Sequence, residues 1–218
     1  MQKSRPTPPV KKSATACARG RPRAFDREAA LAEAMRVFWL KGYQATSMID
    51  LTEAMGIGAP SLYAAFGSKE ALYAEAIRHY GETYEGLVWT RFYAAATARE
   101  AVEFLLMDSA AMLTASLCDI PRGCMVALSS VASEGHSALG ELVRSTRAGT
   151  FNRVKARLDQ AVANGEISSS VDVHALARFV QTIQNGMSLL SRDGASRAEL
   201  EAVAQIAMVG WDARVVGK

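Results

Sequence analysis

Between Thr46 and Lys69 the chain carries four polar side chains where short helices begin or turn outward: the hydroxyls of Ser47 and Ser61, the phenol of Tyr63 and the ammonium of Lys69. Each can donate to a phosphate oxygen or a base edge. Nothing nearby would turn them to catalysis. His79, His136 and His174 have no cysteine or carboxylate at metal-ligand spacing. The chain has neither a Gly-x-Ser-x-Gly motif nor a phosphate-cradling glycine loop, and its acids are scattered as helix-surface charges. The pattern implies binding rather than bond-making, with no catalytic residue, no metal ligand and no cofactor.

The elements that must position these groups are legible in TSMIDLTEAMGIGAPSLYAAFGSK. Thr46 or Ser47 can cap a helix, because a hydroxyl accepts from a free first-turn amide. Met48, Leu51 and Met55 recur at the spacing of one buried face. Gly56-Ile57-Gly58-Ala59 makes a tight turn, and Pro60 suits the start of the next helix, where a missing amide hydrogen costs nothing. Leu62 and Phe66 face inward, Gly67 closes the helix and Ser68 caps another. This is the helix-turn-helix plan, whose second helix can enter a DNA major groove. Upstream, Asp26 caps a helix over Phe25–Tyr43 with Ala30, Leu31, Ala34, Val37 and Phe38 as its apolar stripe.

The run from Phe25 to Leu72 resembles the DNA-binding domain of the TetR family of transcriptional repressors. The matching features are FDREAALAEAMRVFWLKGYQATSM followed by LTEAMGIGAPSLYAAFGSKEAL, with the Gly-Tyr-x-x-Thr-Ser entry, the Ser-Leu-Tyr-x-x-Phe recognition helix and the Ser-Lys-Glu-x-Leu follow-on in the family's order. The likeness covers about a fifth of the chain strongly and the rest by architecture. It implies a double-stranded DNA operator as partner, with Tyr63, Ser47 and Lys69 on phosphates. Ala59, Pro60, Ser61 and Ala65 would face the bases on the exposed side of the recognition helix. Alanine or proline can touch a thymine methyl and Ser61 can bond several bases.

Charge supports a polyanion partner at one end. Of the 25 basic side chains, seven lie in residues 1–23, where there is no acid; the rest of the chain sets 18 against 22 acidic groups, a balance of −4. Residues 1–24 read as a disordered basic arm with four of the six prolines. Its end, Arg19-Gly20-Arg21-Pro22-Arg23, is similar to the minor-groove clasp of AT-hook peptides, since a narrow A·T-rich groove attracts inserted arginine. A solubilising or vector-derived tail is the other reading. Three cysteines at irregular spacing make no disulfide framework, which fits a reducing cytoplasm and a nucleoid-associated protein. There is no secretory signal, and no apolar run approaches the ~20 residues that would span a membrane.

The expected fold is all-α: a three-helix N-terminal helix-turn-helix DNA-binding domain (25–70) and a helical C-terminal ligand-binding and dimerisation domain (71–218). One long helix is expected over 68–96, then helices near 99–117, 124–133, 138–164, 172–192 and 196–210, with Asn164-Gly165 as a stop and Ser196-x-x-Glu199 as a capping box. No stretch calls for a strand. The resemblance places a small apolar or amphipathic effector among the middle helices. Trp89, Phe92, Phe104, Met107, Met112, Cys124, Met125, Gln184 and Met187 are candidates to line its pocket, each with ordinary core as the alternative. It also implies a homodimer through the last two helices, with Phe179, Ile183, Met187, Val203, Ile206 and Trp211 at the interface. Cys124 is expected at a helix N-terminus just after Arg122. Both neighbours would favour a reactive thiolate, as in the Arg-Gly-Cys entry of some family members that sense electrophiles or oxidants; a packed small residue is the other reading. Cys118 is expected in mid-helix core, and Cys17 has no assigned role. A repressor released by its effector is the function this implies. A ligand-independent architectural DNA binder and, further off, a helical enzyme are the other classes.

Overall fold

A computed structural model describes residues 25–131 and 135–215; the arm with Arg19, Arg21, Arg23 and Cys17 lies outside the described residues. Within them the secondary structure is helical: α1 (Arg27–Lys41), α2 (Met48–Met55), α3 (Ala59–Phe66), α4 (Lys69–Tyr84), α5 (Gly86–Ala94), α6 (Ala98–Leu113), α7 (Ser137–Ala163), α8 (Val173–Arg192) and α9 (Arg197–Val215), with no strand.

Local chemistry sets the head. The Asp26 carboxylate accepts from the Glu28 and Ala29 amides and starts α1. Ser47 and Asp50 form a reciprocal capping box that starts α2: Ser47 Oγ accepts from the Asp50 amide at 3.0 Å, and Asp50 accepts from the Ser47 amide at 2.8 Å. Gly56 ends α2 in the left-handed region at φ 63°, a backbone conformation that residues with a β-carbon rarely adopt. Its amide and that of Ile57 return to Glu53 and Thr52 carbonyls, which makes the sharp turn. α3 then starts with Pro60 in its first turn. Leu62 and Phe66 are buried where α3 packs on α2 and α4, in a core that also holds Leu31, Phe38, Leu51 and Tyr73. Arg27 fastens the far end of α3. Its guanidinium pairs with Glu75 of α4 at 2.7 Å, lies 4.3 Å from the Phe66 ring centroid and donates to the Ala65 carbonyl.

The body is built on α6, which packs against α5, α7, α8 and α9. The buried cluster runs from head to body without a break, through Tyr73, Ala76, Ile77 and Tyr80 of α4. The boundary expected between residues 70 and 71 falls in the first turn of that helix. Three side chains add hydrogen bonds that tie α1 to the body. Trp39 Nε1 donates to the Gly123 carbonyl at 2.9 Å, Arg36 donates to the Asp119 carbonyl at 2.5 Å, and Arg192, the last residue of α8, donates to the Trp39 and Leu40 carbonyls. That guanidinium caps the α1 C-terminus, where cations are favoured.

Four expectations about elements are corrected. The long helix over 68–96 is two, α4 and α5, meeting at Glu85; glycines 81 and 86 on either side weaken the ladder there. The helix expected to 117 stops at Leu113, where the Thr114 hydroxyl turns back onto Ala110 and Ala115 takes φ 58°. The described residues of the expected helix over 124–133 are turns pinned from α7, because Arg147 donates to the carbonyls of Val126, Ala127 and Ser129. Cys118 therefore sits exposed in a loop rather than in helical core. The last helix also runs five residues past its expected end at 210.

Candidate nucleic-acid interface and effector cavity

The head displays α3 with its uncharged outer face free. Ala59, Pro60, Ser61, Tyr63 and Ala64 are exposed, Tyr63 at 49 %. Ala65 is half-buried against the core and its carbonyl is taken by Arg27, so it is not on the open face as expected. Ala64, missed in the sequence reading, replaces it. At 100° per residue it stands opposite the Leu62–Phe66 stripe, so the periodicity that located the core also locates this residue.

Ser47, Tyr63 and Lys69 lie respectively at the cap of α2, midway along α3 and at the first residue of α4. Each helix N-terminus offers unsatisfied amides that favour an anion. Lys69 is held rather than loose: its ammonium lies 4.4 Å from the centroid of Tyr43, whose hydroxyl donates to Glu70 at 2.8 Å. The Glu70 carboxyl is held below its usual range, chiefly by its own backbone amide and then by that hydroxyl. Beside Ser47 the Asp50 carboxyl falls to about 2 because Lys41 donates to it at 2.6 Å and the Ser47 amide adds a second bond. A fixed negative charge thus sits next to the Ser47 hydroxyl, balanced by Lys41.

In the body a cavity of about 180 Å³ opens between α4, α5, α6, α7, α8 and the loop at Cys124. Trp89, Met112, Cys124 and Gln184 line it as expected. Phe92, Phe104, Met107, Met125 and Met187 do not. Phe104 and Met107 lie on the other side of α6 from Ser109 and Met112, with the Arg91 guanidinium 3.9 Å from the Phe104 ring centroid. Phe92 and Met187 are core, and Met125 faces a second cavity at the end of α1. Ile77, Tyr80, Tyr84 and Val88, none of them among the expected lining residues, complete an aromatic and aliphatic wall. Polar side chains share the wall, among them Glu85, Arg147, Arg153, Gln184 and Asn185: Gln184 donates to Ser109 Oγ at 2.8 Å, and Arg153 pairs with Glu85 while its guanidinium lies 5.0 Å from the Trp89 ring centroid.

Cys124 points into this cavity, but neither ground for a thiolate survives. The residues after it are turns, not a helix, and Arg122 donates instead to the carbonyls of Ser191 and Ala195. The thiol sulfur accepts from the Tyr80 hydroxyl at 3.3 Å; burial and the neighbouring Cys124 push that phenol well above its usual range.

The outer faces of α8 and α9 carry an exposed apolar patch. Phe179, Leu189, Leu190, Ile206 and Val209 are open, the last two at 73 % and 69 %, with Ile183 and Val203 half-buried beside them. Met187 and Trp211 are excluded from this surface: both are 1 % exposed and packed inside the subunit. A stripe wide enough to serve core and partner divides between them, and apolarity alone does not show which residue takes which side.

Comparison with known proteins agrees with this geometry. Residues 30–76 match the family model for bacterial regulatory proteins of the tetR family. The chain is 36% identical over 205 residues to the HTH-type transcriptional repressor ComR of Escherichia coli (strain K12), covering 93% of this chain and 94% of that protein. A 61-residue segment is 46% identical to the HTH-type transcriptional repressor BdcR of the same organism, 28% of this chain and 31% of that one. The structure superposes with a TM-score of 0.82 on a cysteine mutant of the TetR family regulator CifR complexed with 26-bp double-strand operator DNA, at 38% identity, covering 88% of this chain and 100% of that chain. Among the described residues no helix is long and apolar enough to cross a membrane. The chain belongs to the TetR family of bacterial regulatory proteins and is a helix-turn-helix DNA-binding transcriptional regulator.

Proposed function

We propose that the protein is a homodimeric repressor that binds a palindromic double-stranded operator and is released by a small apolar or amphipathic effector. The display of α3 carries this reading: a short helix with an uncharged outer face, fixed at both ends by packing and by Arg27, and flanked by Ser47, Tyr63 and Lys69. Contacts of that kind set register on the phosphates and leave Pro60, Ser61 and Ala64 to meet base edges. ComR is named a repressor and CifR was solved on its operator, which supports the same role here. The apolar patch on α8 and α9 would join two copies and set their recognition helices about 34–36 Å apart, one turn of DNA. The cavity favours an effector over a ligand-independent architectural role: it is somewhat larger than the roughly 150 Å³ engineered cavity that admits benzene.

The test is binding of the purified protein to duplexes from upstream of its own gene, across a salt series. Lys69→Ala and Tyr63→Phe are expected to weaken binding to every sequence alike, by up to about ten-fold. Lys69→Ala should also lower the salt slope by about 1. Unchanged affinity in both variants would refute this docking.

A further inference from the structure

We propose that Trp39 is the positioning residue through which the effector cavity sets the angle of the DNA-binding head; this rests on the reading of the cavity as the effector site. Trp39 is a residue of α1, yet its indole is buried at the wall of the body. Its ring stands edge-on to Tyr80 at 4.8 Å and to Tyr84 at 5.5 Å between centroids, and both tyrosines line the cavity from the other side. Its N–H donates to Gly123, the residue before Cys124, which also lines the cavity.

The loop at Gly123 is stiff enough to transmit a displacement. The Gly123 amide donates to the Leu113 carbonyl at the end of α6 at 2.8 Å, and the Cys124 amide donates to Ser188 Oγ of α8 at 2.8 Å. Gly123 takes φ 78°, and a β-carbon there would lie 2.6 Å from Leu128 Cδ1 and 2.9 Å from the Ser188 carbonyl oxygen. The loop cannot yield toward α8. A group entering the cavity presses on Tyr80, Tyr84 and Cys124 together, and all three bear on Trp39 directly or through the loop. A buried indole N–H that loses its acceptor is left unsatisfied, so loop and α1 move as a pair. Of the three side chains that tie α1 to the body by hydrogen bonds, Arg36 and Arg192 reach carbonyls of Asp119, Trp39 and Leu40, none of which lines the cavity.

The experiment uses the full-length protein and a double-mutant cycle in duplex affinity. Gly149 lines the cavity, and a β-carbon built on it meets nothing within 4 Å, so Gly149→Phe adds bulk at the cavity wall without an added ligand. Gly149→Phe is expected to shift affinity at least ten-fold. In a Trp39→Phe background the same substitution should shift it less than three-fold, because the message no longer reaches α1. Phe38→Leu disturbs the neighbouring core position of α1 without touching the loop bond, and there the ten-fold effect should persist. Should Trp39→Phe fail to fold, Ser188→Ala provides a second arm. It frees the Cys124 amide while leaving the indole in place, and should cut the Gly149→Phe effect at least three-fold. If the effects of Gly149→Phe and Trp39→Phe simply multiply, or Ser188→Ala leaves the effect undiminished, the role of Trp39 is overturned while the effector reading stands. If Gly149→Phe leaves affinity unchanged in the unaltered background, both fall.

Discussion

Asp50 shows how one side chain serves two ends. It closes the capping box of α2, and its salt bridge to Lys41 reaches back to the last residue of α1, so entry into the helix-turn-helix depends on its charge. Its carboxyl lies at about 2 against an ordinary 3.8. A lowered value means the folded head binds the charged form better, so the contribution is complete above pH ~4 and is lost as pH falls through about 2. Asp50→Asn is therefore expected to lower the melting temperature at neutral pH. The gap from wild type should close on acidification to pH 2, as followed by circular dichroism. A gap independent of pH would place the effect in packing rather than charge. The neighbouring Ser47 was legible in sequence as a cap; its tie to Asp50 follows from the same three-residue spacing. The clasp of Lys69 on Tyr43 was not legible, because 26 residues separate partners that only the fold brings together.

At the scale of elements, helices with strong ends were readable and the connection between them was not. α7 and α8 fall within a residue of their expected limits because Asn164-Gly165, Asp172 and Asp193-Gly194 punctuate the chain there. The residues to 117 and from 124 on are apolar enough to read as helix, yet carbonyls between Asp119 and Ser129 are claimed by Trp39, Arg36 and Arg147, partners that lie 18 to 84 residues away. Long-range side chain-to-backbone bonds of this kind leave no local periodicity. Gly123 is the strictest position in that stretch. Gly123→Ala combines an unfavourable φ with contact against α8 backbone, and is expected to cost about 2–4 kcal/mol of stability, read as a fall in the denaturant midpoint. Gly149→Ala, a helical glycine in open space, should be neutral or slightly stabilising.

For the molecule as a whole, the proposed assembly rests on two surfaces: the face of α3 and the patch on α8 and α9. Ile206→Glu sets a charge at the most exposed point of that patch and is expected to yield a monomer in light scattering with little loss of subunit stability, since the side chain packs against little in the subunit. Trp211→Ala, by contrast, should unfold the subunit, at about 3–5 kcal/mol, rather than separate two copies. Arg192 joins these surfaces in a way neither explains alone. It ends the helix that would face the second copy, and it grips the carbonyl end of the first helix of the reading head. In the proposed dimer, slippage along the seam between copies would thereby be delivered as a change in the gap separating the two reading heads, with no guest molecule required. Pairing and reading would then share one hinge pin, and substitutions far from the DNA, at that seam, would retune which half-site spacing the protein accepts.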